Sequence, residues 1–94
     1  MSRQVVIISP DVLTQEVSGE TVLLDLKSET YFGLDEVGTR IWQLLQENGD
    51  TQFVLETMLQ EYEVEAEKLQ ADLRNLLTEL KSAGLIEINS MENG

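Results

Sequence analysis

The chain has 94 residues, which is enough for one small domain and too few for two domains with separate cores. Its 18 Asp and Glu against 6 Lys and Arg give a formal net charge of -12, which repels the phosphates of nucleic acids and the head groups of anionic lipids. The sequence has no Cys and no His, so disulfides, thiol nucleophiles, histidine bases and zinc sites built from these residues are excluded. We therefore predict one acidic domain over 1–94 that binds neither nucleic acid nor a membrane.

The apolar runs of the sequence bear on its localisation. The first of them, Val5 to Ile8, is well short of the apolar region of a signal peptide. No run reaches the roughly 18 residues of a membrane-spanning helix. We predict a cytoplasmic protein that needs no cofactor, with an ordered core over about 5–89 and a flexible tail over 90–94.

The first third of the sequence has the period-two pattern of β-strands. Ser18-Gly19 suits a tight hairpin turn between two of them. In the strand after this turn, alternation puts Val22, Leu24 and Leu26 on one face, opposite Leu23. The short run Val5 to Ile8 joins either this sheet or the closing strand. The main predicted strands cover 12–17, 21–26 and 30–34.

At Asp35 the spacing of apolar residues changes from two to about 3.6, the period of an α-helix. Asp35 is a good N-cap for a first helix, and Asp50 or Thr51 can cap a second. Gly49 and Gly84 suit the left-handed conformation that ends many helices. The predicted helices cover about 35–46, 51–62 and 65–83, and a closing strand covers 85–88.

This order of elements predicts an α+β domain, with a three-stranded antiparallel sheet followed by three helices and a short closing strand. Three helices with short connections and a strand after the third are typical of a winged helix-turn-helix. A DNA-binding version would need basic residues on the third helix. The basic residues of that helix are offset by acidic ones: Lys68, Arg74 and Lys81 against Glu65, Glu67, Asp72 and Glu79. A transcription regulator stays an alternative that the charge disfavours.

The acidic run from Glu61 to Glu67 is the densest group of carboxylates in the sequence. Paired carboxylates can act in acid–base catalysis or hold a metal when their surroundings shift their pKa values. A small enzyme or metal protein built on Glu61, Glu63 and Glu65 is therefore a further alternative. A charge run between two helices is more often a solvated segment, and we favour that interpretation.

The strand 30–34 has the composition of an unprotected sheet edge, because it holds two aromatic residues and neither Lys nor Pro. At an edge, Gly33 would let a partner backbone approach closely. Phe32 and Leu34 share a face and are expected to point inward, which leaves Tyr31 as the better contact residue. Such an edge can accept an extended peptide, or a second copy of the chain through strand exchange in a homodimer.

Residues 22–42, with the sequence VLLDLKSETYFGLDEVGTRIW, resemble a strand-to-helix passage of the PqqD-like family. The motifs EYEV at 61–64 and LLTELKSAGLI at 76–86 are similar to later parts of the same family pattern. The resemblance covers about 10–88. Asp35 stands where the family commonly has Asn, and both residues cap helices well.

The resemblance implies a winged-helix RiPP recognition element, the leader-binding module of ribosomally synthesised and post-translationally modified peptide pathways. Such proteins are not enzymes; they bind the leader as a strand added to the third strand, in a cleft bounded by the third helix. Carried over to this sequence, the peptide-binding residues are Thr30, Tyr31, Phe32, Gly33, Leu34, Asp72, Leu73, Leu76 and Glu79.

The resemblance also implies a partner enzyme of the same pathway. The passage from Tyr31 to Leu34, together with Trp42, is most similar to stand-alone members of lasso-peptide clusters, whose partner is a leader peptidase. The alternative is a member that presents its precursor peptide to a radical S-adenosylmethionine enzyme in pyrroloquinoline quinone synthesis. In either pathway the charge of -12 favours a leader or a partner surface that carries Lys or Arg.

Overall fold

The computed structural model describes residues 2–92, and within them the chain forms strands and helices in the order β-β-β-β-α-α-α-β. This order confirms the predicted α+β class. The elements are β1 (Ser2–Ile8), β2 (Val12–Val17), β3 (Glu20–Asp25), β4 (Thr30–Leu34), α1 (Glu36–Glu47), α2 (Thr51–Glu61), α3 (Ala66–Ser82) and β5 (Ile86–Glu92).

The strands form two antiparallel sheets. The three-stranded sheet has the order β2-β3-β4, as the hairpin signals predict. The N-terminal run takes the second of its two predicted positions, because β1 pairs with β5 along its whole length. That pairing carries β5 to Glu92, so the predicted tail begins inside a strand; residues 93–94 lie outside the described range.

Two connections set the course of the three-stranded sheet. Ser18 and Gly19 both have positive φ, 53° and 82°, which the tight turn between β2 and β3 requires and which confirms the predicted hairpin. Between β3 and β4, the buried carboxylate of Asp25 accepts hydrogen bonds from the Lys27 N–H at 3.0 Å and the Ser28 hydroxyl at 2.9 Å. Asp25 therefore fixes the turn that leads into β4.

The predicted helix caps are present at the first two helices. Asp35 accepts a hydrogen bond from the Gly38 N–H at 2.8 Å, and Asp50 accepts one from the Gln52 N–H at 3.0 Å. Gly84 follows α3 with φ 78°, as predicted.

The predicted left-handed role of Gly49 is wrong, because Gly49 is not among the residues of positive φ. Helix α1 ends at Glu47, and its C-cap Asn48 has extended backbone. Gly49 instead lies against β1, where its carbonyl accepts the Val6 N–H at 2.8 Å. A Cβ at position 49 would collide with the Val6 carbonyl oxygen. Glycine is required at this position because the backbone of β1 lies close to it, and not because it ends a helix.

The core lies between the helices and one face of the three-stranded sheet. Leu23 is fully buried on that face, whereas Val22 and Leu26 on the opposite face are exposed. Trp42 on α1 is buried, and its indole N–H donates to the Thr14 hydroxyl of β2 at 3.1 Å. This contact fixes α1 across the sheet, and burial of side chains of this size contributes about 1.5–3 kcal/mol each.

Candidate functional site

β4 is an edge strand. Within the described residues it pairs with β3 alone, in an antiparallel register that places Tyr31 opposite Leu24 and Gly33 opposite Val22. An edge strand has backbone groups on its free side that the sheet does not use. The chemistry of the site therefore depends on which residues of β4 turn their N–H and C=O outward.

The hydrogen bonds of β3 identify those residues. Leu26 donates its N–H to the Asp11 carbonyl at 2.9 Å, one step beyond the end of the β2–β3 ladder. Because residues of a central antiparallel strand bond alternately to its two neighbours, 20, 22 and 24 bond to β2 and 21, 23 and 25 bond to β4. Their partners in β4 are Leu34, Phe32 and Thr30. The N–H and C=O of Tyr31 and Gly33 consequently point to the open edge.

The side chains of β4 alternate between two environments. Leu34 is buried and Phe32 is half-buried on the inner face, while the Tyr31 side chain is 76% exposed on the outer face. At Gly33 no other part of the described chain comes within 4 Å of the position of a Cβ. Within the described residues, no close contact therefore requires a glycine at this position.

A groove of about 570 Å³ runs beside this edge, between β4 and α3. We call it the β4–α3 groove. Buried Leu34 and Ile41 form its floor, and half-buried Leu76 forms its apolar wall on α3. Its lining residues are Phe32, Gly33, Leu34, Asp35, Val37, Gly38, Ile41, Asp72, Asn75, Leu76 and Glu79.

The charge of the groove has one sign. Three carboxylates line it, from Asp35, Asp72 and Glu79, and the lining includes neither Lys nor Arg. Asp35 accepts the Gly38 N–H as the cap of α1, so its position is fixed by the helix. Asp72 and Glu79 are exposed on α3 and remain available to a partner. The groove therefore combines an apolar floor with an acidic wall.

The structure brings six of the nine predicted site residues together in this groove: Phe32, Gly33, Leu34, Asp72, Leu76 and Glu79. Thr30 and Tyr31 lie on the same strand outside the lining, with the Thr30 hydroxyl 2.7 Å from that of Ser28. Leu73 is buried in the core and lies on the other flank of α3, away from the groove.

Other lining residues were not predicted for the site. Val37 and Ile41 have the i, i+4 spacing of an apolar helix stripe, a pattern more typical of a core face than of a binding site. Asn75 has the helical spacing that unites it with Asp72 and Glu79 on one flank, so the predicted helix already contained the signal for it.

A second cavity, of about 320 Å³, lies on the flank of α3 that carries Leu73 and Arg74. It is bounded by side chains of β1, α2, α3 and β5. The outward-facing backbone of β4 takes no part in this cavity. The β4–α3 groove is therefore the better candidate for peptide recognition.

The acidic run 61–67 begins at the last residue of α2, and that residue, Glu61, has a structural role. The Arg40 guanidinium donates to both carboxylate oxygens of Glu61, at 2.7 and 2.6 Å, and so joins α1 to the end of α2. The hydrogen bond from Arg40 holds the pKa of Glu61 below its usual value, and the same bond raises the pKa of Arg40. Across 2–92, no three or more acidic side chains are grouped to hold a metal ion. In the same range no helix is both long and apolar enough to cross a membrane.

Two solved structures are similar to this chain. One is TbiB1 in complex with the TbiA(beta) leader peptide, which is 40% identical with a TM-score of 0.82; the match covers 86% of this chain and 94% of that one. The other is a lasso peptide synthetase B1 complexed with the leader peptide, which is 28% identical with a TM-score of 0.78 and covers 87% and 96%.

No curated protein sequence matches the chain. The family model for coenzyme PQQ synthesis protein D (PqqD) matches residues 20–86, from the start of β3 to the start of β5. That stretch is well over half of the 94 residues and contains β4 and α3. The chain therefore belongs to the PqqD family.

Proposed function

We propose that this protein binds the leader region of a ribosomally synthesised precursor peptide as an additional strand on β4, in lasso-peptide type biosynthesis. It delivers the precursor to an enzyme that modifies it or removes its leader, and it has no catalytic role of its own. The observation that carries the proposal is the open edge at Tyr31 and Gly33 beside the β4–α3 groove. An extended peptide can use the edge and the groove at once.

Backbone hydrogen bonds at the edge account for affinity. Tyr31 and Gly33 each offer one N–H and one C=O, and each bond formed contributes about 0.5–1.5 kcal/mol net. Such bonds make little demand on sequence, because every residue except proline carries both groups. The edge alone therefore binds peptides without selecting among them.

Selection comes from the side chains of the added strand, which alternate between its two faces. One set turns toward the apolar floor at Leu34 and Ile41 and the apolar wall at Leu76. The other set lies on the outer face of the sheet, next to the exposed ring of Tyr31. The groove therefore contacts every second side chain of the peptide.

The similar structures support this assignment because both are complexes with a leader peptide. The lasso-peptide pathway is favoured because one of them is a lasso peptide synthetase component. The family description favours the alternative, in which the protein presents a precursor to a radical S-adenosylmethionine enzyme in pyrroloquinoline quinone synthesis.

We also interpret the chain as a single winged helix-turn-helix domain over 1–94, used for peptide and not for DNA. Asp72 and Glu79 lie on the exposed flank of α3, where they repel phosphates. A regulator of transcription would retain duplex DNA at low salt, whereas we expect no retention. The edge could also pair with a second copy, but two chains of charge -12 repel each other, so we expect peptide to compete successfully with a homodimer.

The test is a titration of the ¹⁵N-labelled protein with the leader half of each precursor-like peptide encoded beside its gene. We expect saturable shifts at the amides of Tyr31 and Gly33 and along the α3 flank that carries Leu76, with micromolar or tighter affinity. The C-terminal half of the same precursor is the control and is expected to cause no shifts. Saturable binding that leaves β4 unchanged, or no binding by any of these peptides, would contradict the proposal.

A further inference from the structure

The wall that α3 contributes to the groove carries acidic and apolar side chains in alternation. Asp72, Leu76 and Glu79 follow one another at helical spacing, so an apolar side chain lies between two carboxylates on one flank. At about 1.5 Å rise per residue, Asp72 and Glu79 are about 10 Å apart along the helix axis. An extended peptide covers that distance in about three residues.

Among the side chains that the structure describes, no Lys or Arg lines this wall. Arg40 is bonded to Glu61, and Lys27 lies 3.7 Å from Asp11 beside the β3–β4 turn. Arg74 lines the second cavity, on the other flank of α3. Lys68, one turn before Asp72, is exposed and does not line the groove.

We propose that the peptide segment bound at β4 carries Lys or Arg on the face turned to α3, on both sides of an apolar residue that packs on Leu76. This inference rests on the proposed function and names the chemistry of its ligand. Two carboxylates that lose water beside a bound strand need opposite charges to compensate them. Asp72 and Glu79 are thus specificity residues, which favour basic segments and reject acidic ones.

Two double variants separate the position of the charges from their number. D72N/E79Q removes the carboxylates of the groove wall, whereas E63Q/E67Q removes two exposed carboxylates outside the groove. Both variants have a formal net charge of -10, because each loses 2 of the negative charges behind the original -12. Any difference in peptide binding between the two variants is therefore due to the position of the removed carboxylates and not to the net charge.

The experiment is selection from a library of random twelve-residue peptides displayed on phage, carried out on the unmodified protein and on both variants. The unmodified protein and E63Q/E67Q are expected to enrich Lys or Arg four positions apart with an apolar residue midway, because only every second residue of a strand shares a face. D72N/E79Q is expected to lose that enrichment. The selected peptides should bind D72N/E79Q about three- to ten-fold more weakly, the range for two partly exposed charge pairs.

The outcomes distinguish this inference from the function on which it rests. Selected peptides that shift the Tyr31 and Gly33 amides without Lys or Arg enrichment, or that bind both double variants equally, would overturn the basic-peptide inference alone. A library that yields no peptide acting on those two amides would overturn the proposed function, and the inference with it.

Discussion

The three-stranded sheet has two edges, and they differ less in their own composition than in what lies beside them. Neither β2 nor β4 contains Lys or Pro. On β2, however, Thr14 accepts the Trp42 indole N–H and Glu16 accepts the Gln43 side-chain amide at 2.7 Å. These hydrogen bonds attach β2 to α1. A charged side chain that points to the core face of a sheet, such as that of Glu16, is a common protection of an edge strand against pairing.

Among the described residues, no side-chain hydrogen bond joins β4 to a helix, and this edge opens beside the β4–α3 groove. A strand added there gains backbone bonds and the surface of the groove for its side chains. The difference teaches that an open edge becomes a recognition site when a shaped surface adjoins it.

Substitutions on the two flanks of α3 should separate effects on the free energy of unfolding from effects on peptide binding. Leu73→Ala empties a buried core position and is expected to lower the free energy of unfolding by about 2–5 kcal/mol, the largest effect we predict. Leu76→Ala should cost far less stability, because Leu76 is only half-buried, but should weaken peptide binding several-fold. Urea unfolding and calorimetric titration, at a temperature where both variants are folded, measure the two quantities. Equal loss of binding in the two variants would show that Leu76 has no special contact with the peptide.

Proline substitutions on the two edges should have different effects on peptide binding. Tyr31→Pro removes an N–H that points to the open side of β4, so binding is expected to weaken about three- to ten-fold. Tyr31→Ala keeps the N–H and serves as the matched control, with a smaller loss. Glu16→Pro, on the β2 edge, should leave binding close to that of the unmodified protein. If Glu16→Pro weakened binding as strongly as Tyr31→Pro, the peptide could not be assigned to β4.

Salt should weaken the binding of a basic peptide at the β4 edge, because the acidic wall of the groove adjoins this strand. Between about 50 and 500 mM salt, where the Debye length falls from about 14 to 4 Å, binding of a true leader should weaken several-fold. The D72N/E79Q variant should show a flatter dependence on salt. Calorimetric affinities across this range measure the effect, and a dependence equally steep in both proteins would assign it to charges elsewhere.

The smallest effect is expected at the Arg40–Glu61 pair, which lies outside the groove. Because the pKa of Glu61 is lowered from its usual 4.5, the pair stabilises the fold above that pH, and its contribution is lost as the pH falls through the lowered value. E61Q should therefore melt slightly below the unmodified protein at pH 7, with the gap closing in acid, and should bind peptide normally. Solvent exposure keeps the difference small. A gap that persists in acid would show that the charge of Glu61 is not its source.

Much of the fold was predictable because local signals agree with the tertiary structure. Ser18-Gly19 specifies the β2–β3 turn, Asp35 and Asp50 cap the first two helices, and the change of apolar period at Asp35 marks the start of α1. The role of Gly49 was not predictable in this way. It depends on the approach of β1 from far away in sequence, which leaves no local pattern.

The site was predictable as a strand and a helix but not as a set of contacts. Alternation separates Tyr31 from Phe32, yet only the pairing of β3 shows whose backbone groups face outward. Helical spacing puts Leu76 with Asp72, whereas Leu73 turns into the core. Both Leu residues look alike in an apolar stripe, and only the packing of α3 against its neighbours distinguishes them.

The central claim is that a peptide pairs with the outward backbone groups of Tyr31 and Gly33. Hydrogen exchange of individual amides, measured by NMR with and without saturating leader peptide, tests it directly. In the free protein we expect fast exchange at Tyr31 and Gly33 and slow exchange at Phe32, which bonds to β3; with peptide, Tyr31 and Gly33 should become protected. Saturable binding that leaves both of these amides in fast exchange would contradict the account.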